Sequence, residues 1–292
     1  MDGNLNPVDT THQSRVAMRR IQFIELHDQP WFPSFLRDYV TDALQFGFNL
    51  VKAYAPVALL LQGVLDSTES RSIVDLCSGA GGPWFDLSRK LQSRTRQGET
   101  LGLQIWLTDK YPNPGASQMV GAAGENRISF YAGSVDAVDV PAELKGLRTM
   151  FTSFHHFPPA EARAILQNAV DSGESIGIFE VPRRALSTIA LTFAFILMLF
   201  VGAPWIRPFR WSRLFWTYLV PIIPLVLLFD GVVSCLRTYR PQELREMVGE
   251  LTANEYQWEI GDHSGASGRL VITYLIGVSG GSWNEKSGSG AV

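Results

Sequence analysis

Cysteine is scarce in this sequence, since only Cys77 and Cys235 occur in 292 residues. Two thiols without metal-ligand spacing exclude a disulfide framework and a cysteine-based metal centre, and no metal site is expected. The first 20 residues also lack the apolar stretch of a secretory signal. These absences favour a reduced, cytoplasmic setting.

A surplus of charge is also missing, because 25 Lys and Arg residues face 28 Asp and Glu residues and leave a formal net charge of -3. Proteins dedicated to nucleic acid carry a basic surplus, so no nucleic-acid partner is expected. A net charge this close to zero also provides no general electrostatic attraction to anionic lipid. Hydrophobic residues make up 46% of the chain, an ordinary fraction for a globular protein, but they are concentrated between residues 185 and 236.

Short apolar segments alternate with helical patterns after residue 70. Their βαβ intervals predict a mostly parallel sheet with helices on both faces. The last two strands are joined by a Gly/Ser loop that is too short for a parallel crossover, so an antiparallel hairpin is expected. The predicted strands cover residues 72–76, 103–108, 128–132, 149–154, 175–181, 256–261 and 269–277, and the helices between and after them cover 84–92, 159–170 and 241–251.

The region before the first strand predicts a helical cap. Apolar residues recur at three- and four-residue spacing between residues 21 and 65, and Ser34 is a candidate helix cap after an aromatic turn with two prolines. The expected organisation is a disordered leader (1–20), a helical cap (21–70), an α/β core (71–184), an apolar helical hairpin (185–236), the rest of the core (237–278) and a flexible tail (279–292).

A glycine-rich turn follows the first strand and is the strongest local signal. Gly79, Gly81 and Gly82 remove side chains where a ligand could approach the backbone, and such turns often need positive φ. The next helix offers free N–H groups beside the turn. The nicotinamide fingerprint G-x-G-x-x-G lacks its third glycine here, because Pro83 and Trp84 follow, so a dehydrogenase is disfavoured.

Two carboxylates follow the next strands. Asp109 ends the second strand, where it could accept hydrogen bonds from ribose hydroxyls, and Asp136 follows the third strand, where it could accept from an adenine amino group. The interval from the glycine turn to Asp109 exceeds the usual ~20 residues, and the polar loop at 93–100 accounts for the difference. Solvated carboxylates remain the alternative for both, with Asp139 as an equally acidic neighbour.

Four segments together resemble, in order and spacing, the motifs of class I S-adenosylmethionine-dependent methyltransferases, most closely the small-molecule branch. They are Val74-Asp-Leu-Cys-Ser-Gly-Ala-Gly-Gly82, Thr108-Asp109, Ser134-Val-Asp-Ala-Val-Asp-Val-Pro141 and Thr152-Ser-Phe-His-His-Phe157. The likeness covers residues 70–182 and resumes at 236–278. It implies a Rossmann-like seven-stranded α/β sheet with the last strand antiparallel, and S-adenosylmethionine as cofactor.

The resemblance also implies roles for individual residues. Asp75, Gly79 and Gly81 would flank the methionine part of the cofactor, Asp109 would hold the ribose and Asp136 would lie near the adenine. Cys77 and Ser153 lie within the matched motifs and are counted with the cofactor-binding residues, although the family usually has glycine at the position of Cys77. A small buried thiol is a simpler interpretation of Cys77 than a nucleophile.

Methyl transfer needs alignment of the acceptor and, for a hydroxyl or activated carbon, a base. The candidates are His155 and His156 after the fourth strand and Glu180 at the end of the fifth. The histidines could instead only shape the cofactor site, and Glu180 could form an ion pair with Arg183 or Arg184.

Two apolar runs of 17 and 16 residues, at 187–203 and 214–229, flank a segment with three arginines and two tryptophans. Both runs are shorter than the ~20 residues of a membrane span, and two spans would place the arginines across the membrane, against the positive-inside rule. A shallow hairpin in one leaflet is therefore favoured. The alternatives are an apolar helical lid or a dimer interface in a soluble enzyme, and a two-span membrane anchor.

The function predicted from these observations is methylation of a small lipophilic molecule, collected from a membrane by a cytoplasmic protein that lies peripherally or monotopically on it. A protein that binds the cofactor without methylating anything and a membrane-associated interaction protein are the alternatives.

Overall fold

A seven-stranded sheet forms the centre of the protein, which is described here from a computed structural model covering residues 18–79, 81–92, 102–112, 127–253, 256–264 and 270–280. The strand order is β3-β2-β1-β4-β5-β7-β6. Every pairing among the first five strands is parallel, and β7 runs antiparallel to both β5 and β6. The strands are β1 (Ser72–Asp75), β2 (Gln104–Leu107), β3 (Ile128–Phe130), β4 (Leu147–Phe151), β5 (Ile176–Glu180), β6 (Tyr256–Ser264) and β7 (Val271–Ser279).

This topology confirms the expected fold, a Rossmann-like α/β sheet of the methyltransferase type with its last strand antiparallel. The expected leader up to residue 17, the polar loop at 93–100 and the tail from residue 281 lie outside the described residues.

The fourth strand was predicted too late along the chain. It begins at Leu147 rather than at residue 149, because buried Arg148 occupies the strand and donates to Asn168 Oδ1 at 2.7 Å. It ends at Phe151, since Thr152 has a φ of 45° and turns the chain out of the sheet. The following residues form a short 3-10 helix, Phe154–His156, at the carboxyl edge of the sheet.

Helices cover both faces of the sheet. One buried cluster holds α2 and α3 against the sheet, and a second holds α4 and α8 on the opposite face. The helices are α1 (Ser34–Leu50), α2 (Val57–Thr68), α3 (Trp84–Gln92), α4 (Pro159–Asp171), α5 (Leu186–Gly202), α6 (Trp211–Leu214), α7 (Ile222–Arg237) and α8 (Pro241–Gly249).

The N-terminal cap is less helical than predicted. Residues 18–33 have no helix, and Pro33, not Ser34, is the N-cap of α1, without a side-chain capping bond. Residues 26–32 form turns, as expected from the aromatic turn predicted before Ser34. The segment is held by contacts distant in sequence: Ile21 N–H donates to the Leu236 carbonyl at 3.1 Å, and Leu26 N–H donates to Asp230 Oδ1 at 2.7 Å. These partners belong to the insertion, so the local apolar periodicity could not reveal them.

The insertion is helical and packs its inner face on α1. A third buried cluster joins α1 with α5 and α7. The helical stretch Leu186–Trp205 has 20 residues and a mean hydropathy of 2.3, and only 17% of it is buried, so it is long and apolar enough to cross a membrane. Pro221 and Pro224 predict a kink in the second apolar run. The run is bent by 72° between Leu219 and Ile222, where Pro221 lies, whereas Pro224 lies within α7.

Candidate active site

The turn after β1 has the backbone that its glycines predict. Cys77, Gly79 and Gly81 have φ values of 57°, 54° and 100°, in the left-handed region. At Gly79 nothing lies within 4 Å of the position that a Cβ would take, so this backbone faces open space. At Gly81 a Cβ would meet the Phe85 ring at 3.2 Å. The turn therefore needs glycine for its conformation and leaves room for a ligand beside Gly79.

Asp75 lies beneath this turn and braces it. Its carboxylate is buried and accepts hydrogen bonds from Ser78 Oγ and Thr149 Oγ1, each at 2.7 Å. Burial raises the pKa of Asp75 to about 7, although the bonds from Ser78 and Thr149 act in the opposite direction. Because Asp75 is buried, does not line the cavity described below and is bonded to two protein hydroxyls, it supports the turn.

Asp109 lies at the end of β2, as predicted, and contacts the glycine turn directly. Its Oδ2 accepts from Gly79 N–H at 3.0 Å and its Oδ1 accepts from Tyr111 N–H at 2.9 Å. Each carboxylate oxygen has a second lone pair for a further donor. The carboxylate is therefore beside the open space at Gly79, where a ribose could reach it.

Asp136 lies beyond β3 and is partly exposed. Lys110 Nζ donates to its Oδ2 at 2.7 Å, and Val138 N–H donates to its Oδ1 at 3.2 Å. The bond from Lys110 lowers the pKa of Asp136. Asp139 donates its backbone N–H to the Asp136 carbonyl, so the two acidic neighbours form one turn.

Cys77 and Ser153 differ in what they offer a ligand. Burial raises the pKa of the Cys77 thiol above its usual range, so little thiolate exists. The side chain therefore fills space in the turn rather than acting as a nucleophile. Ser153 is buried, and its Oγ has no hydrogen-bond partner among the described residues. An unpaired buried hydroxyl is unfavourable unless a ligand or water satisfies it.

His155 and Glu180 form a buried pair at the carboxyl edge. His155 Nδ1 lies 2.6 Å from Glu180 Oε2, and Glu180 Oε1 accepts from Phe154 N–H at 2.8 Å. The alternative ion pairs for Glu180 are wrong, because Arg183 binds Asp262 and Arg184 binds Glu243. Glu180 therefore fixes both the ring of His155 and the 3-10 helix that carries it.

His156 pairs with a residue that the sequence pattern did not single out. Its Nδ1 lies 2.7 Å from Asp28 Oδ2, and its side chain is 26% exposed, against 1% for His155. Glu25 is buried between the two rings: its Oε1 is 3.5 Å from His155 Nε2 and its Oε2 is 3.7 Å from His156 Nε2. Segment 18–33 thus places the carboxylates of Glu25 and Asp28 beside the two histidines.

Charges within this cluster are strongly coupled. Burial lowers the pKa of His155, but Glu180 and Glu25 outweigh it and raise the pKa to about 9. Burial likewise raises the pKa of Glu25, but His156 and His155 hold it well below its usual range. His27 adds a third ring, with its Nδ1 2.7 Å from Asp230 Oδ2.

The sequence pattern did not point to Glu25, His27, Asp28, Asp230 or Arg237. The first three lie more than 100 residues from the histidine pair, and the last two lie in or beside the insertion, so no spacing motif links them. The one sequence feature that could have pointed to the N-terminal members of this group is the presence of charged residues in a segment predicted to be an apolar-faced helix.

A cavity of about 720 Å³ connects the glycine turn with the histidine cluster. Apart from Gly79, the predicted cofactor-binding residues are not among those that line this cavity: Asp75, Cys77, Gly81, Asp109, Asp136 and Ser153. Ser78 and Gly79 line it on the side of the glycine turn, and Glu25 and His156 line it on the side of the histidine cluster. The remaining wall is largely apolar and comes from α1, α5 and α7, including Leu44, Phe48, Leu191, Phe195, Met198 and Leu227.

No protein-family model matches the sequence, and no curated protein matches it. Solved structures do match. An O-methyltransferase family protein from Burkholderia thailandensis shares 16% identity over 81% of this chain and 59% of its own, with a TM-score of 0.43. Human N-acetylserotonin methyltransferase, solved with SAM, shares 15% identity over 89% of this chain and 63% of its own, with a TM-score of 0.46. PigF, solved with SAH, shares 18% identity over 85% of this chain and 62% of its own, with a TM-score of 0.47.

This chain therefore spans less than two thirds of the length of each of these three proteins. The fold assignment depends on the strand order and on the antiparallel β7, not on these matches.

Proposed function

We propose that this chain is an S-adenosylmethionine-dependent methyltransferase that acts on a small lipophilic acceptor. The cavity carries this proposal, because one continuous space joins the open backbone at Gly79 to the side chain of His156 and to apolar residues of the insertion. A cofactor at the first end and an acceptor at the other would meet there, shielded from water.

The residues at the carboxyl edge fit an adenosyl cofactor. Gly79 leaves room for it, and Asp109 has lone pairs available for the two ribose hydroxyls. Asp136 would lie near the adenine, and Ser153 Oγ is free to bond the methionine part. Asp75 and Gly81 hold the turn in shape. When bound, the cofactor supplies an electrophilic methyl group on a sulfonium.

The acceptor would be held at the histidine end of the cavity. His156 is the residue of the pair that contacts it, because His156 is the more exposed of the two. His155 and Glu180 are buried and bonded to each other, so they position the 3-10 helix. Alignment of an acceptor atom about 3 Å from the methyl group supplies most of the acceleration. That His155, His156 or Glu180 takes up a proton from the acceptor remains a prediction.

The chemistry of the wall and of the outer surface supports a lipophilic acceptor taken from a bilayer. The same helix α5 that lines the cavity through Leu191 and Phe195 exposes large apolar side chains to the outside. Leu186, Leu197 and Val201 are 78%, 64% and 62% exposed. An acceptor dissolved in lipid could then pass along α5 into the cavity with little contact with water.

The first test is cofactor binding, measured by isothermal titration calorimetry with wild type and with Gly79→Ala. The added methyl group would occupy the open space and should weaken binding of S-adenosylmethionine at least tenfold. Gly173→Ala is the matched control, because Gly173 also has a left-handed φ, of 69°, and nothing within 4 Å of its Cβ position, but lies at the end of α4. Both variants should lose about 1 kcal/mol of stability from backbone strain. Equal affinity in the two variants would contradict the placement of the cofactor.

The second test is methyl transfer itself, followed as S-adenosylhomocysteine formed when the protein is given a lipid extract. Product should form with wild type and fall sharply with Gly79→Ala. Binding without turnover would identify a cofactor-binding protein, and absence of binding would leave the α/β domain as a scaffold.

A further inference from the structure

Two imidazole rings and one carboxylate converge in the cluster beside the cavity. The ligand atoms of Glu25, His155 and His156 lie within 4.8 Å of one another. From this arrangement we infer that the three residues form a binding site for one divalent transition-metal cation, with Zn²⁺ as the best match. The site was not visible in the sequence, because its carboxylate lies 130 residues before His155.

The distances at the centre suit a cation better than hydrogen bonds. Glu25 is 3.5 Å from His155 Nε2 and 3.7 Å from His156 Nε2, both longer than the ~3.2 Å limit of a good hydrogen bond. His155 Nε2 is buried and has no hydrogen-bond partner among the described residues. Two ligands bound to tetrahedral zinc at about 2.1 Å lie about 3.4 Å apart. The distances from Glu25 Oε1 to His155 Nε2 and from Glu25 Oε2 to His156 Nε2 are close to this spacing, and all the ligand atoms lie within 4.8 Å of one another.

Carboxylates behind the rings orient both of them for metal binding. His155 Nδ1 is 2.6 Å from Glu180 and His156 Nδ1 is 2.7 Å from Asp28. Each Nδ1 is thus placed to donate a proton to a carboxylate, and a ring bound in this way would offer its Nε2 to a cation on the side of Glu25. This carboxylate–histidine arrangement is the usual support of a metal ligand in proteins.

Negative charge is concentrated around the two rings. The cluster holds the carboxylates of Glu25, Asp28, Glu180 and Asp230, and Arg237 lies 3.3 Å from Glu25 Oε1 as a fixed positive charge. A divalent cation between the rings would offset part of this negative charge.

The ligand set selects the class of cation. Two imidazole nitrogens and one carboxylate oxygen suit zinc and neighbouring first-row metals, whereas magnesium and calcium prefer oxygen ligands alone. Arg237 and Ser234 both contact Glu25 Oε1, which leaves Oε2 for the cation. All three ligands line the cavity, so the fourth coordination position would face it and could take water or an oxygen of a bound molecule.

The experiment uses the full chain, stripped with a chelator and titrated with Zn²⁺ in calorimetry and with Co²⁺ in visible absorption, without cofactor or acceptor. Wild type should bind one equivalent of either cation and show the intense absorption of four-coordinate cobalt. Glu25→Gln and His156→Gln should lower the affinity at least tenfold. Asp28→Asn, which removes only the support of His156, should weaken binding by about 10- to 100-fold.

Two control variants separate this site from other histidines and carboxylates. His263→Gln removes an imidazole on β6, away from the cluster, and should bind like wild type. His27→Gln tests the neighbouring group Glu25, His27 and Asp28, which could also hold a cation. A larger loss with His27→Gln than with His156→Gln would overturn the assignment of ligands. Failure of folded wild type to bind either cation stoichiometrically would overturn the site and would leave methyl transfer unaffected.

Discussion

Asp75 shows how a single buried carboxyl group can couple the cofactor turn to pH. It ends β1, is shielded from solvent and accepts from two hydroxyls, Ser78 and Thr149. Neutral hydroxyl donors stabilise a carboxylate only in part, so burial prevails and the pKa rises from 3.8 to about 7. The folded protein therefore retains a proton at this site that the unfolded chain releases at lower pH.

The sign of the effect on stability follows from this difference. Because the folded pKa lies above the unfolded one, the contribution of Asp75 is complete below about pH 4, declines as the pH rises and is lost above about pH 7. Between pH 5 and 8, wild type should lose a few kcal/mol of unfolding free energy relative to Asp75→Asn. Urea denaturation across this range measures it. Asp139→Asn, at an exposed carboxylate, should follow wild type, and parallel curves for wild type and Asp75→Asn would show that Asp75 does not titrate here.

Among the elements, the insertion is bound to the cap by a buried ion pair as well as by apolar contacts. Arg213 is buried on α6, pairs with Asp42 of α1 and donates to the carbonyls of Ile206 and Pro208, each at 3.1 Å. The connection between α5 and α6 is thereby tied to α1.

Removing the arginine should therefore destabilise the protein strongly. Arg213→Met leaves Asp42 unpaired and should cost about 3–5 kcal/mol of unfolding free energy, as for other buried pairs. The double variant with Asp42→Leu removes both charges and should recover part of the loss. Arg207→Met, at an exposed position of the same connection, should change stability by less than about 0.5 kcal/mol. Urea denaturation of wild type, Arg213→Met, Asp42→Leu and the double variant gives the cycle, and additive losses would show that the two charges do not interact.

On the scale of the molecule, apolar exposure and charge are distributed in different ways. The net charge is close to balanced, whereas large apolar side chains are exposed along α5 and α7 and on the connecting segment, where Trp205 and Trp211 are 62% and 78% exposed. Contiguous exposed apolar surface of this kind marks an interaction site. Tryptophan beside arginine is typical of the headgroup layer of a membrane.

If a bilayer covers this surface, apolar contact rather than charge should hold the protein there. Wild type should sediment with neutral phosphatidylcholine vesicles at about 1 M NaCl, where charge interactions are screened, and detergent should release it. Leu197→Glu with Val201→Glu should lower the bound fraction at least tenfold. Ala160→Glu with Ala164→Glu is the matched control, because it adds the same charges at the same spacing on an exposed face of α4. Release of wild type from the vesicles by salt alone would contradict apolar binding. If wild type does not bind the vesicles and forms a dimer in solution, the exposed apolar surface is instead an interface between two copies.

The sequence by itself determined the sheet, the glycine turn and the position of Asp109, because strand periodicity and a strand-turn-helix motif are written in consecutive residues. It also determined the bend at Pro221, since proline acts locally. It did not reveal that residues 18–33 lack a helix, because Ile21 and Leu26 donate their backbone hydrogen bonds to residues of the insertion, which are distant in sequence.

Only the tertiary structure decided the chemistry at the histidine pair. Glu180 was predicted as a candidate base, with an ion pair to Arg183 or Arg184 as the alternative, and in the structure it contacts His155. Glu25 and Asp28 reach the two rings from a distant part of the chain. Sequence spacing predicts contacts within a turn or a strand. The residues of this cluster come from an N-terminal segment, a strand end and an inserted helix, and they become neighbours only in the folded protein, at the edge of the sheet.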